Sequence, residues 1–580
     1  MPQSGNHDTD SDEEPMSSIS RKEQRALDRE IPWRELMEKS SETIDKYVRA
    51  CQKEEHNFYF WQAVRPIEDD LATEILAGPN RRRCLRARNA YRNKNVNKGT
   101  VDHDAKCRTV LVGCNDPDLH SLTRHSPTCL RLSFMLMLTY LVSAWQVPGQ
   151  CWCAMFGDAV SAFLQGQQDR DRPLYMLPPR DGLALLAGAF PAMLYMIIGN
   201  IYGLANAPAI WCDEVRKRLY SVGFVSSTLD VMFFLCRNSK GYLIAAIIVH
   251  VDDFFIIYNQ YEFDIFIVKN LFSWGSIREW SKEAGFDNVV FLAKQLTVFT
   301  RQGERAIRIH HEDYIASTPV RRVSKARRED PASLNGSEVT EMLSCIGSLQ
   351  YLSSSLRMDL AAGVSLCQRK SPTAQDLADL MEQLNWARET KEMGLVFRGH
   401  DLARSAVYSY GDSSYANAPD LKSQTGLICC IGDTRALTGE SPCCAVDHRS
   451  ARTTRVCRST LAAEAASADD AVDHGLYTAY HWSEMLNGTK ATAKPTRAPS
   501  VNLYSVTDCK CLYDAVTKEN SSCTEKRTLI SLCSIREAVS SRMRWAPTHL
   551  QHADGLTKTD KSLRQRFLHW MQWPYARLHD

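Results

Sequence analysis

Two adjacent carboxylates, Asp252 and Asp253, sit in the middle of an apolar run over residues 244–258, and no other feature of the chain constrains its fold as much. Burying one ionised carboxylate is costly and burying two side by side costs more, so something cationic has to offset them. The flanks are rich in Ile, Val, Phe and Tyr, which favours two strands with the Asp pair at or near a tight turn. A divalent metal ion is the natural partner of such a pair. A plain hairpin with a solvated Asp-Asp tip is the alternative that the residues alone leave open.

Upstream, Gly157-Asp158-Ala159-Val160-Ser161-Ala162-Phe163-Leu164-Gln165-Gly166 again opens an apolar segment with an Asp. Between the two lies Asn200-Ile201-Tyr202-Gly203-Leu204-Ala205-Asn206-Ala207-Pro208-Ala209-Ile210-Trp211, a small-residue turn running into a helix-like stretch. This ordered set resembles the reverse transcriptase palm of copia-type LTR retrotransposons: Asp with Ala-Phe-Leu, then Tyr-Gly-Leu-x-x-Ala-Pro-x-x-Trp, then a Val-Asp-Asp hairpin. Lys106-Cys107-Arg108 resembles the basic strand of that family's fingers, and Leu174-Tyr175-Met176-Leu177-Pro178-Pro179 its segment after the first Asp.

A second series of acids follows. Asp412 ends a β-rich run, Glu464 lies in an Ala-rich helix, Asp508 ends another strand, and Asp554 sits in Ala553-Asp554-Gly555-Leu556-Thr557-Lys558. Any one of these alone reads as a surface residue. Together, in that order, they resemble the ribonuclease H domain that follows reverse transcriptase in the same elements.

With 580 residues, 44% of them hydrophobic, the chain is long enough for several domains of roughly 100 to 200 residues each. The expected architecture is α+β: a right-hand polymerase with palm, fingers and thumb, then a ribonuclease H-like mixed sheet with flanking helices. Residues 1–30 are acidic and Ser-rich and are expected to be disordered. Reverse transcriptase is expected over 31–320, with a largely helical start and a buried helix over 130–145. A basic linker and connection segment is expected over 321–400, a ribonuclease H-like domain over 405–560, and a tail over 561–580. Because the linker and connection stand between the two acid series, the two metal clusters are expected to fill independently.

The net charge of +2 hides a basic cluster formed by Arg81, Arg82, Arg83, Arg86, Arg88, Arg92 and Lys94. It reads either as a solvated helix face or as a phosphate-binding surface. Twenty scattered cysteines without zinc-ligand spacing read as reduced thiols. With no signal peptide and no membrane span expected, the location is expected to be cytoplasmic, in a virus-like particle, or nuclear.

The resemblance implies two-metal phosphoryl transfer at both acid sets, with Mg²⁺ as cofactor and Mn²⁺ as a substitute. It makes Asp158 and Asp252 the principal metal ligands of the palm, with Asp253 a weaker third acid, and Asp412, Glu464, Asp508 and Asp554 the ligands of the second set. Phe163 falls where the family carries the ring that blocks a nucleotide 2′-hydroxyl, although a core Phe is an equal reading. Lys106 and Arg108 alternate on a strand and so share a face that could hold a triphosphate. Gly203 and Pro208 are expected to shape the turn against which template and nucleotide lie. His250 stands where the family commonly has Tyr. His549 or His552 could shuttle protons, or be plain surface residues. Implied partners are an RNA template, a DNA primer, an RNA–DNA hybrid and dNTPs, with a homodimer or other Pol products as further associations. The competing reading is a decayed or domesticated copy that binds nucleic acid without polymerising.

Overall fold

The computed structural model describes residues 29–94, 103–166, 172–330, 332–369, 371–488, 499–518 and 523–579. The expected disorder of the N-terminal segment lies outside these residues, apart from its last two.

In the N-terminal region a short helical turn, Trp33–Met37, precedes helix α1 (Ser41–Phe60), whose buried Tyr47, Cys51, Glu54 and Phe58 recur at helical spacing. It packs against the antiparallel pair β1 (Cys84–Asn93) and β2 (Ala105–Leu111), joined into a five-stranded sheet by three short strands, Val64–Pro66, Tyr175–Leu177 and Tyr195–Ile197. Arg86, Arg88 and Arg92 therefore alternate on the exposed face of a strand, which corrects the helix-face reading of that cluster. Register places Arg92 opposite Lys106 and Ala90 opposite Arg108, so these cations share one face.

Helix α2 (Arg131–Ala144) is apolar all round and buried along nearly its whole length, as the sequence led us to expect. It packs against a six-stranded sheet built from β3 (Trp152–Ala159), β4 (Phe233–Arg237), β5 (Leu243–His250), β6 (Asp253–Asn259) and β7 (Trp274–Trp280). The order is β7-β3-β6-β5-β4 with Val225–Ser226 at the edge, and helix α3 (Ala207–Ser221) precedes that edge in the chain. The central strands β5 and β6 are buried on both faces, which is why their sequence is a continuous apolar run rather than an alternating one.

Residues 263–320 were expected to supply the remaining palm strands and the start of a thumb, and of these β7 joins the six-stranded sheet. By contrast, β8 (Val289–Phe291), β9 (Lys294–Arg301) and β10 (Glu304–His310) form a separate sheet, closed by β11 (Leu395–Phe397) after a helical stretch that includes α4 (Gly336–Ser355), α5 (Ala361–Leu366) and α6 (Ala374–Glu389). The segment 321–335 is more fixed than a basic linker. Its Arg327 makes a bidentate pair with Glu338, at 2.8 and 2.8 Å, and Glu338 also completes the capping box that starts α4. Arg357 and Asp359 form a fully buried pair, and Trp386 donates to the same carboxylate at 2.9 Å.

The C-terminal region is a five-stranded mixed sheet of β12 (Ser405–Ser414), β13 (Gln424–Asp433), β14 (Cys444–Arg452), β15 (Asn502–Thr507) and β16 (Met543–Trp545), in the order β14-β13-β12-β15-β16. The first three strands form an antiparallel meander and the last two run parallel to β12. Flanking it are α7 (Thr460–Asn487), α8 (Lys510–Thr517), α9 (Lys526–Val539) and α10 (Lys561–Met571). Residues 561–579 were expected to be a tail. They hold α10, whose Phe567, Leu568, Trp570 and Met571 are buried, and a strand, Tyr575–Arg577, paired with Glu440–Pro442.

One hydrophobic core runs from α2 and the six-stranded sheet into the C-terminal sheet and α7. Trp482 of α7 meets Tyr140 of α2 edge to face. Around it, Arg237 donates to the last carbonyls of α7, at Glu484, Met485 and Leu486, and the Glu484 carboxylate accepts from Ser227 and Thr228. The expected separation of the two acid regions is thus one of sequence and not of packing. All twenty cysteines are free thiols. No helix among the described residues is long and apolar enough to cross a membrane.

Candidate active site

The Asp pair sits on the hairpin joining β5 and β6, with Val251 and Asp252 forming the turn and Asp253 paired with His250. Val251 has a φ of 60°, a conformation that a β-branched residue adopts only when its surroundings hold it there. Two backbone contacts do so. Trp211 of α3 donates its indole N–H to Val251 O at 2.6 Å, and Ala159 N donates to Asp252 O at 2.8 Å. The Trp of the Ala-Pro-x-x-Trp motif thus grips the hairpin, a role that its sequence context did not disclose.

Asp158 comes to Asp253 by cross-strand pairing of β3 with β6. Burial and then the Asp252 charge raise the Asp158 carboxyl above its usual range. Asp253 is pushed up to about 6 by burial, Asp252 and Asp158, with His250 opposing. Asp158 and Asp252 open onto a cavity of about 580 Å³ that Lys106 and Arg108 also line. Asp253 does not line it. Burial, Arg108 and Lys94 all lower the Lys106 ammonium, while Glu54 and Asp158 counter them.

Phe163 lines the same cavity and also packs on the core, so its two readings describe one position. Its neighbour at 5.6 Å between ring centroids is Tyr202, over which the Arg108 guanidinium lies at 4.7 Å. Tyr202 is the cavity residue contributed by the Tyr-Gly-Leu motif. Gly203 and Pro208 do not line the cavity. Gly203, at φ +91°, lies so close to β2 that a Cβ would fall 2.1 Å from Leu111 O, and Pro208 opens the first turn of α3. Their part is to seat Tyr202 and Trp211. Lys94 of the basic cluster also lines the cavity, as do Lys53 and the buried Glu54, which were not singled out from sequence.

The second acid set is deeper. Asp412 on β12 and Asp554 in a short helical turn are both buried, and Glu464 lies near the start of α7, whose cap is Ser459. Burial, above all, pushes the Asp412 carboxyl up to about 7, with Asp554 and Asp508 adding to it and Thr557 opposing. Burial and Asp412 push Glu464 up to about 8. Thr557 donates to Asp412 at 2.5 Å, Ser413 donates to Glu464 at 2.8 Å, and Lys558 is in direct contact with Asp554. Glu464 Oε2 is buried with no hydrogen-bond partner. Asp508 follows β15 and is half-buried.

His552 is not a surface residue. It is buried, stacked on Trp570 at 4.3 Å, and burial lowers it to about 3, so it stays neutral. His549 is exposed. Beside this set, Arg449, Arg452, Arg455, Arg458 and Arg527 line a cavity of about 240 Å³. The first four recur every third residue, a signal present in the sequence and overlooked there.

Both sets offer hard carboxylate oxygens of the kind that divalent cations take. The raised Asp158, Asp253, Asp412 and Glu464, with the orphaned Glu464 oxygen, are what carboxylates short of a cation produce. The donor chemistry therefore fits Mg²⁺. Among the described residues, however, no three His, Cys, Asp or Glu side chains close round a point where an ion could sit, so both sets stand open.

No protein-family model matches the chain. Over 338 residues, 56% of its length, it is 26% identical to the retrovirus-related Pol polyprotein from transposon RE1 of Arabidopsis thaliana. This chain is a relative of retrotransposon Pol polyproteins. It is 27% identical over 342 residues to the corresponding RE2 polyprotein of the same plant, and it spans 22% of the length of each of these two Pol relatives. A Ty5-1 transposon protein of Saccharomyces cerevisiae is 22% identical over 283 residues, with 86% of that protein and 46% of this chain covered. Crystal structures of Prototype Foamy Virus protease-reverse transcriptase align over 90% of this chain and 77% of theirs. Their identities are 10% and 12% and their TM-scores 0.22 and 0.19, too loose a superposition to carry weight.

Proposed function

We propose that this chain is an RNA-directed DNA polymerase with a ribonuclease H, in which the six-stranded sheet is the palm, the N-terminal sheet the fingers, and the C-terminal mixed sheet the ribonuclease. The observation that carries this reading is that Asp158, Asp252, Lys106 and Arg108 line one cavity, with the Lys106 charge felt at Asp158. Carboxylates and cations lining one cavity match what template-directed phosphoryl transfer needs from a protein: groups to hold metal ions and groups to hold a triphosphate. Lys106 and Arg108 would hold the phosphates, Tyr202 would keep the Arg108 fork in plane, and Phe163 would fill the space of a ribonucleotide 2′-hydroxyl. Trp211 would fix the hairpin and with it Asp252.

Asp158 and Asp252 would hold Mg²⁺, or Mn²⁺ in its place, with Asp253 beside them; Asp412, Glu464, Asp508 and Asp554 would do the same in the second set. Such ions, when bound, neutralise the charge that develops at the phosphorus and sharpen the attacking oxygen. In the second set Thr557 and Ser413 orient the acids by hydrogen bonds, and the arginine-lined cavity would take a backbone phosphate of the hybrid. RNA template, DNA primer, RNA–DNA hybrid and dNTPs are the ligands on this reading. Its test is primer extension on an RNA template by the purified chain with Mg²⁺: DNA product is expected, and none from folded protein would overturn it.

A further inference from the structure

We propose that Lys558 is the resident counter-cation of the C-terminal acid set, occupying Asp554 until a divalent ion displaces it. This rests on the reading of that set as a metal site. The contact is direct: Lys558 Nζ sits on Asp554 Oδ1, one helical turn away in sequence, while Arg566 reaches Asp554 Oδ2 only at 3.8 Å. Its neighbour Thr557 is bonded to Asp412, so consecutive residues of one motif hold two of the four acids. That arrangement has a consequence for geometry. An acid drawn towards an ammonium is not free to turn towards its fellows, and no three donors converge among the described residues.

The side chain is also able to leave. It is 44% exposed, and Lys558 lines a cavity of about 240 Å³ together with Asp379 and Glu382 of α6. Asp379 there accepts from the Gln375 amide and Glu382 pairs with Lys561 at 2.5 Å, which gives a displaced ammonium a second acidic environment. The ammonium and a divalent ion then compete for Asp554. Competition between two ligands for one site is reciprocal, so removing the lysine must strengthen metal binding.

The test is calorimetric titration of the full chain with Mn²⁺, in a background carrying Asp158→Asn and Asp252→Asn so that only the C-terminal set contributes. Lys558→Met is expected to bind Mn²⁺ about tenfold more tightly than this background, within the ordinary range of site-to-site coupling, and Lys558→Arg within about threefold of it. Lys558→Gln serves as a second neutral variant should Lys558→Met fail to fold. Affinity unchanged or weakened in the folded neutral variants would overturn the proposal. Glu464→Gln in the same background reports on the underlying reading: it should lose the binding heat, and retention of that heat would overturn the metal-site assignment itself.

Discussion

The Asp252–Asp253 hairpin and the C-terminal acid set answer the same electrostatic problem in opposite ways. At the hairpin, strand pairing brings three aspartates to one edge, two of them open onto a cavity, and cations line that same cavity. In the C-terminal region, four separate elements bring the acids in, two of the acids are buried, and the protein's own Thr557, Ser413 and Lys558 already occupy them. An open site needs its backbone held, hence Trp211 on the strained Val251 turn. A closed site needs its charge held, hence a hydroxyl or an ammonium on each of three acids.

The sharpest break in the comparison comes at the hairpin. Asp252→Asn keeps the shape of the turn and removes a charge needed only by the reacting complex, so DNA synthesis should fall on the order of 10³-fold while template binding stays within a few fold. Single-turnover extension against filter binding measures both, and substantial residual extension would remove Asp252 from the site.

The next effect concerns what the two regions share. Trp482 is completely buried where α7 meets α2, so Trp482→Ala should destabilise the chain by about 3 to 5 kcal/mol. Denaturant unfolding followed by near-ultraviolet circular dichroism should move as a single transition. Two transitions, one of them unshifted, would show that the palm and the C-terminal sheet are independent bodies.

A smaller effect lies in the cavity. Phe163→Ala should raise ribonucleotide relative to deoxyribonucleotide incorporation on the order of tenfold. An unchanged ratio would leave Phe163 a packing residue.

The smallest is a pH dependence that separates the buried set from the open one. The folded chain holds Asp412 up to about 7 and Glu464 up to about 8, whereas in the unfolded chain both ionise near their ordinary values, about 4. Between these limits the folded state keeps protons that the unfolded state has released, so this contribution to stability is present at low pH and is lost as pH rises towards about 8. Thermal melts without divalent ions should show Tm falling over that window, and Glu464→Gln should flatten the fall. A parallel curve for the variant would mean that Glu464 is ionised throughout.

The hairpin was legible because a carboxylate pair interrupts a run that is apolar for a reason of its own, burial on both faces. The strand bearing Lys106 and Arg108 was legible through alternation. The basic cluster at Arg86, Arg88 and Arg92 carried the same period of two, yet its density suggested a helix. What could not be read was anything that depends on one element meeting another: Trp211 reaching Val251, His552 under Trp570, or α7 docking on α2. The run from Gly336 to Glu389 was read only as a connection segment, which disclosed neither its helices nor that the chain would return from them, through β11 at Leu395–Phe397, to the sheet it had left. Thr557 and Lys558 stood in a quoted motif, but their partners Asp412 and Asp554 are fixed by the fold.

The central claim is that one packed body carries two separate chemistries, and a single assay addresses it. A labelled RNA template annealed to a DNA primer, incubated with the Glu464→Gln chain, Mg²⁺ and dNTPs, reads primer extension and RNA cleavage in the same tube. Extension at the parent rate with cleavage lost is the expected result. Loss of both from a chain that still folds, as judged by circular dichroism, would mean that the seven acids serve one site and would contradict the account.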